Sequence, residues 1–159
     1  MQSFLRSMLF VSVLAAPSMA LAHQGHTDAT GAAQAEEFWF GHPGKSAAIT
    51  RTVKIEARDI SFAPAALTVK VGETVRFEVT NTGRLDHEFM IGDANEQGEH
   101  DKEMAAMPGM AMDDPNGVSV PAGKTATLIW TFTKTGALQY GCHVPGHYAA
   151  GMVGQLTVQ

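Results

Sequence analysis

The densest chemistry in the chain lies near its C-terminus, in Tyr140-Gly-Cys142-His143-Val-Pro-Gly-His147-Tyr-Ala-Ala-Gly-Met152. A soft thiolate, an imidazole five residues on and a thioether five residues beyond that share one Gly- and Pro-punctuated segment between two strand-like runs. One Cys, two His and a weak axial Met make up the ligand set of a mononuclear copper centre built for electron transfer. The second histidine is assigned to His87. Its segment, Asp86-His87-Glu88-Phe89, opens a strand directly after a turn at Asn81-Thr-Gly83, a place from which it reaches the same end of a sheet structure. Cys142 is the only cysteine, which excludes an intramolecular disulfide, a CxxC redox pair and a four-thiolate zinc site. The competing chemistry is a Cys–His nucleophile and base. A small all-β unit offers no evident substrate cleft for it.

Other soft or imidazole donors fall outside this set. Met104, Met107, Met110 and Met112 place four thioethers within nine residues, suited to Cu(I), and His23 and His26 offer imidazoles to Cu(II). These six are candidate auxiliary copper ligands. The alternatives remain open: a disordered tract or a packed helix face for the methionines, a solvated arm for the histidines. His42 and His100 read as surface residues. His143 reads as solvent-facing, though its place beside Cys142 suits an electron exit or a second metal.

The elements that must position these residues are strands. From Thr50 onward apolar residues alternate with polar ones: Val53 and Ile55; Leu67, Val69 and Val71; Val75, Phe77 and Val79. Further strands are expected over 87–91, 118–120, 125–132, 138–142 and 153–158. Seven or eight short strands without an amphipathic helix indicate an antiparallel β-sandwich or barrel. The 26 residues of 92–117 are polar, acidic and Met-rich, an insertion long enough to be functional or disordered. A short helix over Met104–Met112 is the alternative there.

Residues 1–22 read as a secretory signal: an early Arg6, an apolar run from Met8 to Ala16, then Pro17 and Ala20-Leu-Ala22. The run falls well short of the roughly 20 residues a membrane span needs. Residues 23–49 are expected to form a His-containing flexible arm in which Phe38-Trp39-Phe40 docks on the domain formed by 50–159. The 159 residues carry a net charge of −5 and no two adjacent basic residues, which argues against nucleic acid and against a polybasic membrane patch. Export to a periplasmic compartment leaves a lone thiol exposed to oxidation unless something occupies it, and a metal would.

Ile60-Ser-Phe-Ala-Pro64, the run from Leu67 to Phe77, His87 and the Cys142-x4-His147-x4-Met152 spacing together resemble the cupredoxin (blue-copper, plastocyanin–azurin-like) family over about residues 50–159. The arm, the His87–Gly92 strand and the Met-rich insertion are most similar to periplasmic cupredoxins associated with copper tolerance. The resemblance implies a Greek-key β-sandwich of two sheets and one type 1 copper held by His87, Cys142, His147 and Met152. It also implies a non-enzymatic role as single-electron carrier or copper-tolerance factor, with a redox or copper-transfer partner and no stable membrane insertion. Copper sequestration without dedicated electron transfer is the alternative. One departure stands out: Glu88 follows His87 where many blue-copper proteins have Asn.

Overall fold

The computed structural model describes residues 38–107 and 114–159. Residues 1–22, expected to be a secretory signal, and His23, His26, Met110 and Met112 lie outside the described residues. In chain order the elements are β1 (Gly41–Pro43), β2 (Arg51–Arg58), β3 (Ser61–Ala63), β4 (Ala66–Val69), β5 (Thr74–Asn81) and β6 (His87–Gly92). Helix α1 (Ala94–Ala106) follows, then β7 (Gly117–Val120), β8 (Thr125–Phe132), β9 (Gly136–Gly141) and β10 (Val153–Val158).

The strands form two five-stranded sheets, in the orders β1-β8-β5-β2-β3 and β4-β10-β9-β6-β7. Alternation along each strand turns one side chain in two toward the partner sheet. Phe77, Val79, Trp130 and Phe132 of the first sheet thus meet Phe89, Ile91, Leu138, Tyr140 and Leu156 of the second in one buried core. Phe89 packs at 5.4 Å from both Phe77 and Tyr140, so aromatic rings bridge the sheets. The all-β Greek-key sandwich expected from the sequence is the observed class.

Three expectations are corrected. The sheets are mixed rather than antiparallel, because β2 runs parallel to β5 and β4 parallel to β10. Period-2 alternation reports which face is buried and is blind to strand direction. Val71 belongs to the expected Val71-Gly72-Glu73 turn and not to the buried face that it shares by alternation with Leu67 and Val69: β4 ends at Val69 and Val71 is 45% exposed. The third concerns the arm. β1 pairs with β8, and Phe40 is fully buried within 5.4 Å of Trp130, so the domain includes residues from Phe38 onward instead of starting at 50. Phe38 and Phe40 dock as expected. Gly41-His42-Pro43 carries no strand signal because Pro is tolerated only at an edge, and β1 is an edge strand.

The insertion holds a 13-residue helix where none was expected before Met104. Its start is a reciprocal cap: Asp93 accepts from the N–H groups of Asn95 (2.8 Å) and Glu96 (3.1 Å), and Glu96 accepts from Asp93 N–H at 2.7 Å. Its buried face is Gln97, His100 and Met104, too polar to show as hydrophobic periodicity. α1 packs on β6 and β9, and every residue of β6 is buried.

Candidate metal centre

His87, Cys142 and His147 converge at one end of the sandwich. Cys142 Sγ lies 3.3 Å from His147 Nδ1 and 3.8 Å from His87 Nδ1, and the two Nδ1 atoms are 3.3 Å apart. A first-row metal held at about 2.0–2.3 Å by three coplanar donors separates them by roughly 3.5–4 Å. The triangle therefore fits such an ion with only tenths of an ångström of adjustment. All three residues are buried, as is Met152.

Each donor is positioned by backbone. His87 opens β6, and Asn81 fixes the loop before it: its amide donates to Leu85 O (2.7 Å) and Val120 O (2.9 Å) and accepts from Gly83 N–H. Cys142 follows β9 directly. The segment from Cys142 to Met152 closes on itself, with Cys142 N–H donating to Met152 O and Met152 N–H to His147 O. Three of the four sequence-assigned ligands are thereby tied to one another through peptide groups.

The surroundings prepare the donors. Burial lowers the affinity of His87 for a proton, against the opposing pull of Asp59, and burial together with the nearby His87 does the same for His147. Both therefore present neutral imidazoles at neutral pH. Burial pushes the Cys142 thiol up to about 11, although Glu88 N–H donates to Sγ at 3.3 Å. A buried thiol at that value is a poor nucleophile, which weighs against the Cys–His hydrolytic alternative. The opposite nitrogen of His87, Nε2, sits 3.4 Å from Asp59 Oδ1, within ion-pair reach but off hydrogen-bond geometry. Asp59 is in turn held by the N–H groups of Leu85 (3.2 Å) and Arg84 (2.9 Å), the first being the main cause of its lowered pKa. Carboxylates behind ligating histidines orient the ring and raise its basicity. Gly83 permits this approach, since a Cβ there would collide with the Asp59 carboxylate.

Glu88, where many blue-copper proteins have Asn, is buried, with the His143 backbone N–H close enough to its carboxylate to oppose the rise of its pKa. Burial raises its carboxyl to about 7, and its Oε2 has no partner among the described residues.

His143 and His100, expected at the surface, are buried, and their rings meet at 4.9 Å. Burial and the neighbouring His100 push His143 down to about 4. α1 causes both burials: Gln97, wholly buried, donates to Met90 O (3.0 Å) and accepts from His143 Nε2 at 2.6 Å. Gly141 leaves room for that bond, because a Cβ would stand 2.5 Å from Gln97 Oε1. Of the Met tract, Met104 is buried against the domain and Met107 is 44% exposed. His42 is half-buried, its Nδ1 3.0 Å from Pro43 O. Sequence reasoning missed Asp59 and Gln97 and read Asn81 only as the start of a turn. Only Gln97 had an available signal, the Asp93-x-x-Glu96 spacing that starts its helix.

Residues 49–159 match the profile of copper binding proteins of the plastocyanin/azurin family. A copper-resistant cuproprotein CopI from Pseudomonas aeruginosa is 44% identical over 149 residues, covering 76% of this chain and 82% of the relative. Another of the same name from Rubrivivax gelatinosus is 45% identical over 121 residues, covering 76% and 73%. Reduced auracyanin from Roseiflexus castenholzii shares the fold, with a TM-score of 0.63, 23% identity and coverage of 70% of this chain and 98% of that one. With its thiol and imidazoles already set at metal-binding separations, the chain belongs to the plastocyanin/azurin family of copper-binding proteins.

Proposed function

We propose that the protein is an exported, periplasmic type 1 copper protein that exchanges single electrons in the service of copper tolerance, and is not an enzyme. The observation that carries this reading is the closed, buried triangle of His87, Cys142 and His147, spaced for a metal and locked through backbone hydrogen bonds. Bound copper supplies a one-electron couple. The chain's own contribution is to hold Cys142 and the two Nδ1 atoms in place, so that little rearrangement accompanies a change of oxidation state. Met152, buried at the end of the ligand loop, would supply the fourth ligand, a thioether. His147 lies beside exposed Pro145 and Gly146 and half-buried Tyr148, the edge offered to a redox or copper-transfer partner.

The names of the two relatives support the tolerance setting. Sequestration is the second reading, favoured by the exposed thioether of Met107 at the end of α1. The test is a copper titration of the reduced protein followed by visible absorption, repeated with Cys142→Ala. An intense thiolate-to-copper band that disappears in the variant is expected. A colourless copper complex in the parent protein overturns the type 1 reading.

A further inference from the structure

Behind the ligand loop, under α1, lies a second group of donors that the copper centre does not use. His143 is fully buried, and its Nε2 is committed to Gln97 Oε1 at 2.6 Å. An amide oxygen only accepts, so Nε2 carries the hydrogen and Nδ1 presents a lone pair. That lone pair has no hydrogen-bond partner among the described residues, and it faces another acceptor, Asp101 Oδ1, at 3.6 Å. His100 stands beside it with carboxylates of its own. Its Nδ1 faces Asp114 Oδ2 at 3.4 Å and Glu103 Oε2 at 4.0 Å, which leaves Nε2 buried and unpartnered among the described residues. The two rings meet edge to face at 4.9 Å, with His100 8% exposed.

Two buried imidazole lone pairs and a carboxylate gathered without a donor between them are unfavourable unless a cation joins them. His143 also has its other nitrogen fixed by an oxygen acceptor, as ligating histidines have, and His100 Nδ1 stands within ion-pair reach of Asp114. We propose that His100 Nε2, His143 Nδ1 and the Asp101 carboxylate form a second metal site, for a divalent first-row ion, binding Cu(II) more tightly than Zn(II). Two imidazoles and a carboxylate suit such ions, and the divalent affinity order places copper above zinc. Among the described residues only His87, Cys142 and His147 already lie within 4.8 Å of one another, so the second set draws together on the ion through the side chains of α1. This site is independent of the type 1 reading, since it uses none of the four ligands.

The test is equilibrium dialysis of the full chain against Cu(II), with electron paramagnetic resonance of the bound metal. His23→Ala/His26→Ala serves as the parent, so that the N-terminal imidazoles do not contribute. The expected result is a Cu(II) component without a thiolate band that persists in Cys142→Ala and disappears in His100→Leu. Asp101→Asn, at a partly exposed position that leaves folding intact, should weaken this component at least tenfold. Zn(II) should compete for it more weakly than Cu(II). Absence of the component in the parent, or its survival unchanged in both His100→Leu and Asp101→Asn, overturns the proposal. Should His100→Leu fail to fold, unchanged affinity in Asp101→Asn overturns it alone. Failure of the type 1 reading shows differently, as loss of the thiolate band while the second ion still binds.

Discussion

Copper loading should carry a proton signature set by the burial of Cys142. With the thiol pushed up to about 11, the metal-free protein at pH 8 holds it almost entirely protonated, and ionising it there costs roughly 4 kcal/mol. The two imidazoles, lowered below their ordinary 6.5, are already neutral at pH 8 and release nothing. One proton therefore leaves for each copper bound. Affinity should rise about tenfold per pH unit, roughly a hundredfold between pH 8 and 10. The assay is anaerobic Cu(I) competition against a chromophoric chelator across that range, corrected for the chelator's own protonation, with released protons counted in weakly buffered solution. An exposed thiol near its ordinary value of about 8.5 would instead give a slope that flattens above pH 9. A plateau there, or a proton count near zero at pH 8, would refute the argument that burial outweighs the Glu88 N–H bond at sulfur.

Three further outcomes follow from the same surroundings. Glu88 is raised in the fold to about 7 from 4.5, so its contribution to stability is complete below pH 4.5 and is lost as pH rises through 7. Glu88→Gln should remove up to about 3 kcal/mol of pH-dependent destabilisation of the metal-free protein between pH 5 and 8. Urea unfolding of both proteins at the two pH values measures this, and parallel pH profiles would sink it. Asn81→Ala strips donors from the Leu85 and Val120 carbonyls and should cost about 2–3 kcal/mol in the same assay, a loss under 1 kcal/mol ruling the brace out. Asp59→Ala should weaken copper binding about 10- to 100-fold, read by chelator competition; unchanged affinity would show that the carboxylate does not act through His87.

What was legible in the sequence is what short-range pattern encodes. Alternation placed the strands carrying Phe77, Trp130 and Leu156, because a half-buried strand must expose every second residue. The Cys142, His147 and Met152 spacing was legible because those donors lie in one loop, and His87 because its segment opens a strand after a turn. Direction and partnership were not: β2 pairs in parallel with β5 across two intervening strands, and β1 joins the far edge of that sheet, outcomes decided by packing over long separations. Helix α1 hid for a related reason. Its buried face is Gln97, His100 and Met104, and a polar face acquires its meaning only from the groups it meets, here Met90 O and His143. The sequence by itself therefore determined the candidate donors and the strand faces, since each depends on residue type and local spacing. Tertiary structure alone decided that Asp59 stands behind His87 and that His100 and His143 lie buried together, because contacts between distant residues exist only once the sheets and the helix have packed.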